Sequence, residues 1–170
     1  MRFSLLLVIP VILNCAGEHG RRTSGESAPQ FAVPFDSLVG SIQPPAPPDY
    51  KTLGGMLLDG PDTTRWGMEL LVRDSIRYLT LDSLDHYSNG KPNWRVVAAT
   101  ALPPLGPKEE FVWVDCAFDG KSDASIATLG VWRDTTLTQI RYAVRPHVPS
   151  RRFELLPSER VSCDVERDRS

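Results

Sequence analysis

From Trp66 onward, apolar and polar residues alternate in short stretches separated by turn residues. Met68 to Val72 is an apolar run ended by Asp74-Ser75, and Ile76 to Tyr87 carries β-branched and aromatic residues in partial alternation. Ser88-Asn89-Gly90-Lys91-Pro92 follows, and Asn-Gly between two such runs is the signature of a tight hairpin. Asn93 to Ala101 is the returning strand, and Pro103 to Pro107 is a loop. Phe111 to Phe118 (FVWVDCAF) has the strongest strand pattern in the chain, placing Val112, Val114, Cys116 and Phe118 on one face. Asp119-Gly120 turns it, and Ile126 to Trp132 forms another strand before Arg133-Asp134. Ile140, Tyr142 and Val144 then alternate with Arg141, Ala143 and Arg145, the pattern of a half-buried strand. Phe153 to Leu156 and Val161 to Val165 complete the set. The reading is a mainly β domain: a small antiparallel sheet, sandwich or barrel-like arrangement of six or seven short strands. An α+β fold is the alternative, because Ile76, Leu79 and Ser83 also fit a helical spacing.

The first third of the chain is different. Residues 16–30 are small, polar and charged, with too little apolar surface to fold. A brief apolar patch follows from Phe31 to Ile42, and then Gln43 to Asp49 (QPPAPPD), whose prolines favour a stiff polyproline spacer. Leu53 to Asp62 is punctuated by glycine and reads as a turn or the start of a strand. The expected organisation is therefore a signal peptide over 1–14, a flexible Pro-rich tether over 15–50, one domain over 51–166 and a tail over 167–170.

Residues 1–14 (MRFSLLLVIPVILN) carry the signature of export. Arg2 supplies a positive start, and Phe3 to Leu13 is an uncharged apolar stretch of signal-peptide length. It is too short to span a bilayer, and Pro10 would kink a helix there. Two processing routes fit. In the first, Cys15 after Ile12-Leu13-Asn14 is the lipidated cysteine of a bacterial lipoprotein, although Ile12 and Asn14 stand where Leu and a small residue are usual. In the second, an ordinary signal peptidase cuts after Gly17. The polar run after Cys15 suits a leash for an anchored domain. The expected address is the cell envelope, with a membrane as partner through Cys15; a soluble periplasmic or secreted form is the alternative.

Either route takes Cys15 out of the redox count, leaving Cys116 and Cys163 as an even pair in an oxidising compartment. Each sits in an apolar alternation, Val112-Val114-Cys116 and Val161-Cys163-Val165, so the two meet if their strands are neighbours. A disulfide between them is expected.

Composition narrows the function classes. The 170 residues hold 19 basic and 21 acidic side chains, interspersed, for a net charge of -2. The basic excess that drives nucleic-acid binding is absent. The one dense polar cluster is Asp82-Ser83-Leu84-Asp85-His86. On a helix, Asp82, Asp85 and His86 would share a face able to hold a metal or act as a general base. On a strand, Asp82 and His86 lie ~13 Å apart, and the cluster reads as a solvated strand end. Asp119, Lys121 and Asp123 open like a calcium loop in spacing, but Gly120 is misplaced and Gly130 stands where the closing Glu belongs. Trp66, Trp94, Trp113 and Trp132 offer either a ligand platform or core packing, and packing is the commoner use. No catalytic, cofactor or metal residue is assigned.

The C-terminal half resembles a cysteine pattern found in small exported bacterial proteins. It is carried by Trp94, Pro103-Pro104-Leu105, Val114-Asp115-Cys116, Asp123 and Ile126-Ala127, then by Ala143, Phe153, Pro157 and Val161-Ser162-Cys163. The resemblance implies a location and a fold core and no activity. The expected function is that of a non-catalytic envelope lipoprotein with a binding or structural role. A small hydrolase or metal-binding enzyme using Asp82, Asp85 and His86 is the alternative.

Overall fold

The structure is a computed structural model in which residues 30–32, 35–58, 65–113 and 116–164 are described. The signal segment, Cys15 and the leash up to residue 29 lie outside the described residues, as do Val114, Asp115 and the stretch 165–170. In chain order the strands are β1 (Gln30–Phe31), β2 (Ile42–Gln43), β3 (Lys51–Leu58), β4 (Trp66–Arg73), β5 (Ile76–Ser88), β6 (Lys91–Ala101) and β7 (Glu110–Val112). Then come β8 (Cys116–Phe118), β9 (Lys121–Ser122), β10 (Ala127–Arg133), β11 (Thr136–His147), β12 (Arg152–Leu155) and β13 (Val161–Asp164). The fold is mainly β. Among the described residues it consists of a five-stranded and an eight-stranded sheet, and every strand pairing is antiparallel.

The five-stranded sheet runs β2-β6-β5-β4-β3. Its centre is the long β5–β6 hairpin, turned at Asn89 and Gly90, both with positive φ (52° and 74°). That is the type I′ geometry whose twist matches the flanking strands, and Asn-Gly is the pair that adopts it most readily. Alternation then gives the sheet two faces. Met68, Leu70, Leu79, Leu81 and Ala98 pack inward against Ala127, Val144 and Phe153 of the other sheet. Leu71, Tyr78, Val96 and Ala99 face outward and are covered by Leu38, with Phe35, Ala46 and Tyr50 packed alongside. Leu71, Leu79 and Leu81 are fully buried, each worth roughly 1.5–3 kcal/mol of transfer free energy.

The domain boundary expected at residue 51 is corrected by this packing. Residues 35–50 are the cover of the outer face and not part of a tether: Leu38 is buried and β2 pairs with β6 through Gln43 and Trp94. The prolines misled the reading because an isolated Pro-rich segment has no means of packing, whereas here Tyr50 and Ala46 anchor it on the sheet. The Leu53–Leu58 stretch, read as a turn or strand start, is most of an edge strand with a register shift between Thr52 and Gly54.

The eight-stranded sheet is built on β11, which pairs with β10 along one edge and divides its other edge between β12 and β13. β7 continues beyond β10, β1 beyond β12, and β8 and β9 beyond β13. A second core of Val112, Cys116, Ile126, Leu137, Ala143, Leu156, Val161 and Cys163 forms within this sheet. Phe111–Phe118, expected as one strand, is two: β7 pairs with β10 and β8 with β13. A single extended strand could not serve partners in both places.

Cys116 and Cys163 are directly opposed on β8 and β13 and form a disulfide, with Cα atoms 4.1 Å apart. That spacing belongs to the closer, non-hydrogen-bonded kind of antiparallel pair.

Candidate functional site

The outer face of the five-stranded sheet is covered at one end and open at the other. Alternation along β4 puts Gly67 and Glu69 on this face, and pairing places Leu57 and Gly55 of β3 opposite them. Asp82 of β5 pairs with Gly67 on the other side. Two glycines so placed leave the sheet backbone bare. A Cβ at Gly55 would lie 3.3 Å from the Met68 carbonyl oxygen, and one at Gly67 would lie 3.2 Å from that of Met56. The six-membered ring of Trp94 hangs over Gly67, 3.9 Å from the same Cβ position. The result is a cavity of about 270 Å³, floored by Gly55 and Gly67 and walled by Gln43, Pro44, Glu69, Asp82 and Trp94. Leu57, 70% exposed, stands at its rim.

Its polar groups are unusual. Gln43 is only 3% exposed, yet neither Nε2 nor Oε1 of its amide has a hydrogen-bond partner among the described residues. Asp82 is 4% exposed; the Thr80 hydroxyl donates to its Oδ2 at 3.0 Å, while Oδ1 has no partner. Buried polar groups are satisfied in the great majority of cases, so each such group calls for a reason. Burial pushes the Asp82 carboxyl up to about 7, against the hydrogen bond from Thr80, and the nearby charge of Glu69 adds to the rise. Burial also lifts Glu69 above the ordinary carboxylate range, against a 2.6 Å hydrogen bond from Thr52. Among the described residues, no Lys, Arg or His lines the cavity to balance the two acids. Such a site can accept hydrogen bonds from a ligand, attract positive charge, or exchange a proton through Asp82 near neutral pH.

The residues singled out in the sequence fall in different places. Asp82, Asp85 and His86 do not form one site. Asp82 enters the cavity, contrary to its reading as part of a solvated strand end. Asp85 sits at the exposed end of the hairpin, where it bonds His86 Nδ1 and Arg95 Nε, each at 2.8 Å. Those two bonds hold the Asp85 carboxyl below its ordinary range. The His86 side chain is 55% exposed. Register shifts at Leu81/Asp82 and Leu84/His86 separate the two environments. Among the described residues, no three His, Cys, Asp or Glu side chains converge as a metal site. Asp119 and Gly120 turn the β8–β9 hairpin, Asp119 pairs with Arg160, and Asp123 accepts bonds from Ser125.

The tryptophans divide as well. Trp66 is buried between the sheets, Trp113 packs edge-on against Phe111 with ring centroids 5.5 Å apart, and Trp132 packs on the second core. Trp94 alone among them lines the cavity. Sequence reasoning missed Gln43 and Glu69. The signal for them was Gly55 and Gly67 inside strand patterns, since an interior strand glycine marks a close approach or a space kept open.

No family model, curated protein or solved structure matches this chain.

Proposed function

We propose that this chain is an exported envelope lipoprotein, anchored at Cys15, whose β domain binds a small polar ligand in the cavity beneath Trp94. Arg2, the apolar run to Leu13 and Cys15 support the address. The observation that carries the binding reading is the buried Gln43 amide and Asp82 Oδ1, without partners among the described residues and both on residues that line the cavity. Burying an unpaired polar group costs about 1–3 kcal/mol, and a ligand that supplies the missing bonds recovers that cost. Mixed apolar and polar lining around a few convergent groups is the usual composition of a small-molecule site.

The test is a thermal-shift screen of the mature protein against amines, amino acids, sugars and organic acids, repeated with Gln43→Leu. A compound that raises the midpoint of the wild type and not of the variant supports the reading. A complete set without any such compound overturns it.

A further inference from the structure

We infer that the ligand of this cavity is a small organic cation, held by its ammonium group against Asp82 and Glu69 with its carbon skeleton against Trp94. The inference rests on the binding reading above and specifies the ligand class.

Charge is the first argument. Asp82 and Glu69 both line the cavity, and among the described residues no basic side chain does. Two carboxylates on neighbouring strands repel each other in a poorly solvated place, and a positive charge between them relieves that repulsion. The second argument is hydrogen-bonding capacity. Among the described residues, the cavity residues' buried atoms without partners are two acceptors, Asp82 Oδ1 and Gln43 Oε1, and one donor, Gln43 Nε2, so donors are the larger lack. An ammonium brings up to three donors and no acceptor.

The third argument is the wall. Trp94 presents its six-membered ring over the bare backbone at Gly67. An aromatic ring sharing a cavity with carboxylates suits an ammonium ligand, and tryptophan is the strongest aromatic partner for a cation. The floor adds to this. Carbonyl oxygens of β3 and β4 lie within 3.3 Å of the Cβ positions that Gly55 and Gly67 leave unfilled. Those unfilled positions leave room for the ligand's skeleton beside Trp94.

The experiment is isothermal titration of the mature protein at pH 8 with propylamine, choline, propanol, glucose and calcium chloride. Propylamine is expected to bind, choline, whose quaternary nitrogen has no N–H to donate, more weakly, and propanol, which matches propylamine in size without the charge, at least tenfold more weakly than propylamine. Asp82→Asn and Trp94→Leu are each expected to weaken amine binding by tenfold or more. Glu69→Gln, at a half-buried position, does the same work if Asp82→Asn fails to fold. Binding of glucose, calcium or choline without propylamine overturns the ammonium assignment and leaves a ligand site in place. Binding of none of the five overturns the cation assignment, and a screen that also finds nothing overturns the ligand site with it.

Discussion

Gly67 and Asp82 are paired across β4 and β5, so a residue with no side chain stands beside the buried acid that lines the cavity. The glycine adds no side chain to the cavity beside Asp82, and burial makes that acid costly to ionise.

The first consequence is a pH dependence. The folded-state value for Asp82, about 7, lies above the unfolded value near 3.8. The folded protein therefore holds the proton more tightly between those limits. The associated stability is present below pH ~4 and is lost as pH rises through ~7, with a slope of at most about 1.4 kcal/mol per pH unit. Acids held low by partners, such as Asp85 and Asp119, act in the opposite sense. The clean readout is the difference between wild type and Asp82→Asn in denaturant melts from pH 4 to 8. The variant is expected to gain on the wild type as pH rises.

Gln43 should oppose stability and support binding. Replacing it with Leu removes two buried polar atoms without partners at similar volume. A gain of about 1 kcal/mol or more in unfolding free energy is expected, together with loss of ligand-induced stabilisation. Chemical denaturation of the two proteins with and without ligand measures both. A loss of stability would show that the amide is satisfied in solution.

The disulfide is expected to carry much of the second core. Cys116 and Cys163 are 47 positions apart, and on the chain-entropy estimate closing that loop is worth about 4 kcal/mol. Reduction should lower the thermal midpoint by on the order of 10 °C. Mass spectrometry of a non-reduced digest tests the pairing itself, and two free thiols would contradict it.

The β5–β6 hairpin was the most legible part of the sequence, because Asn89-Gly90 signals its turn locally. Gly90 has φ of 74°, so Gly90→Ala is expected to cost about 1 kcal/mol by denaturant melt. The pairing of Cys116 with Cys163 was legible for a similar reason: each lies in a short apolar alternation that fixes its face. What depends on distant partners was not legible. Nothing local says that Phe111–Phe118 divides between β10 and β13, or that Gln43-Pro44 docks beside Trp94. The cavity was read only in pieces. Asp82 and Trp94 drew notice, but as members of other groups, because β2 brings Gln43 from about 50 residues upstream of Trp94.

The most direct measurement is the carboxyl 13C titration of Asp82 by NMR, with and without propylamine. In the free protein the signal is expected to titrate near pH 7. With propylamine at saturation the midpoint should move down, because the bound cation favours the carboxylate. An Asp82 signal that titrates in the ordinary carboxylate range and is indifferent to propylamine would contradict the cavity as a cation site.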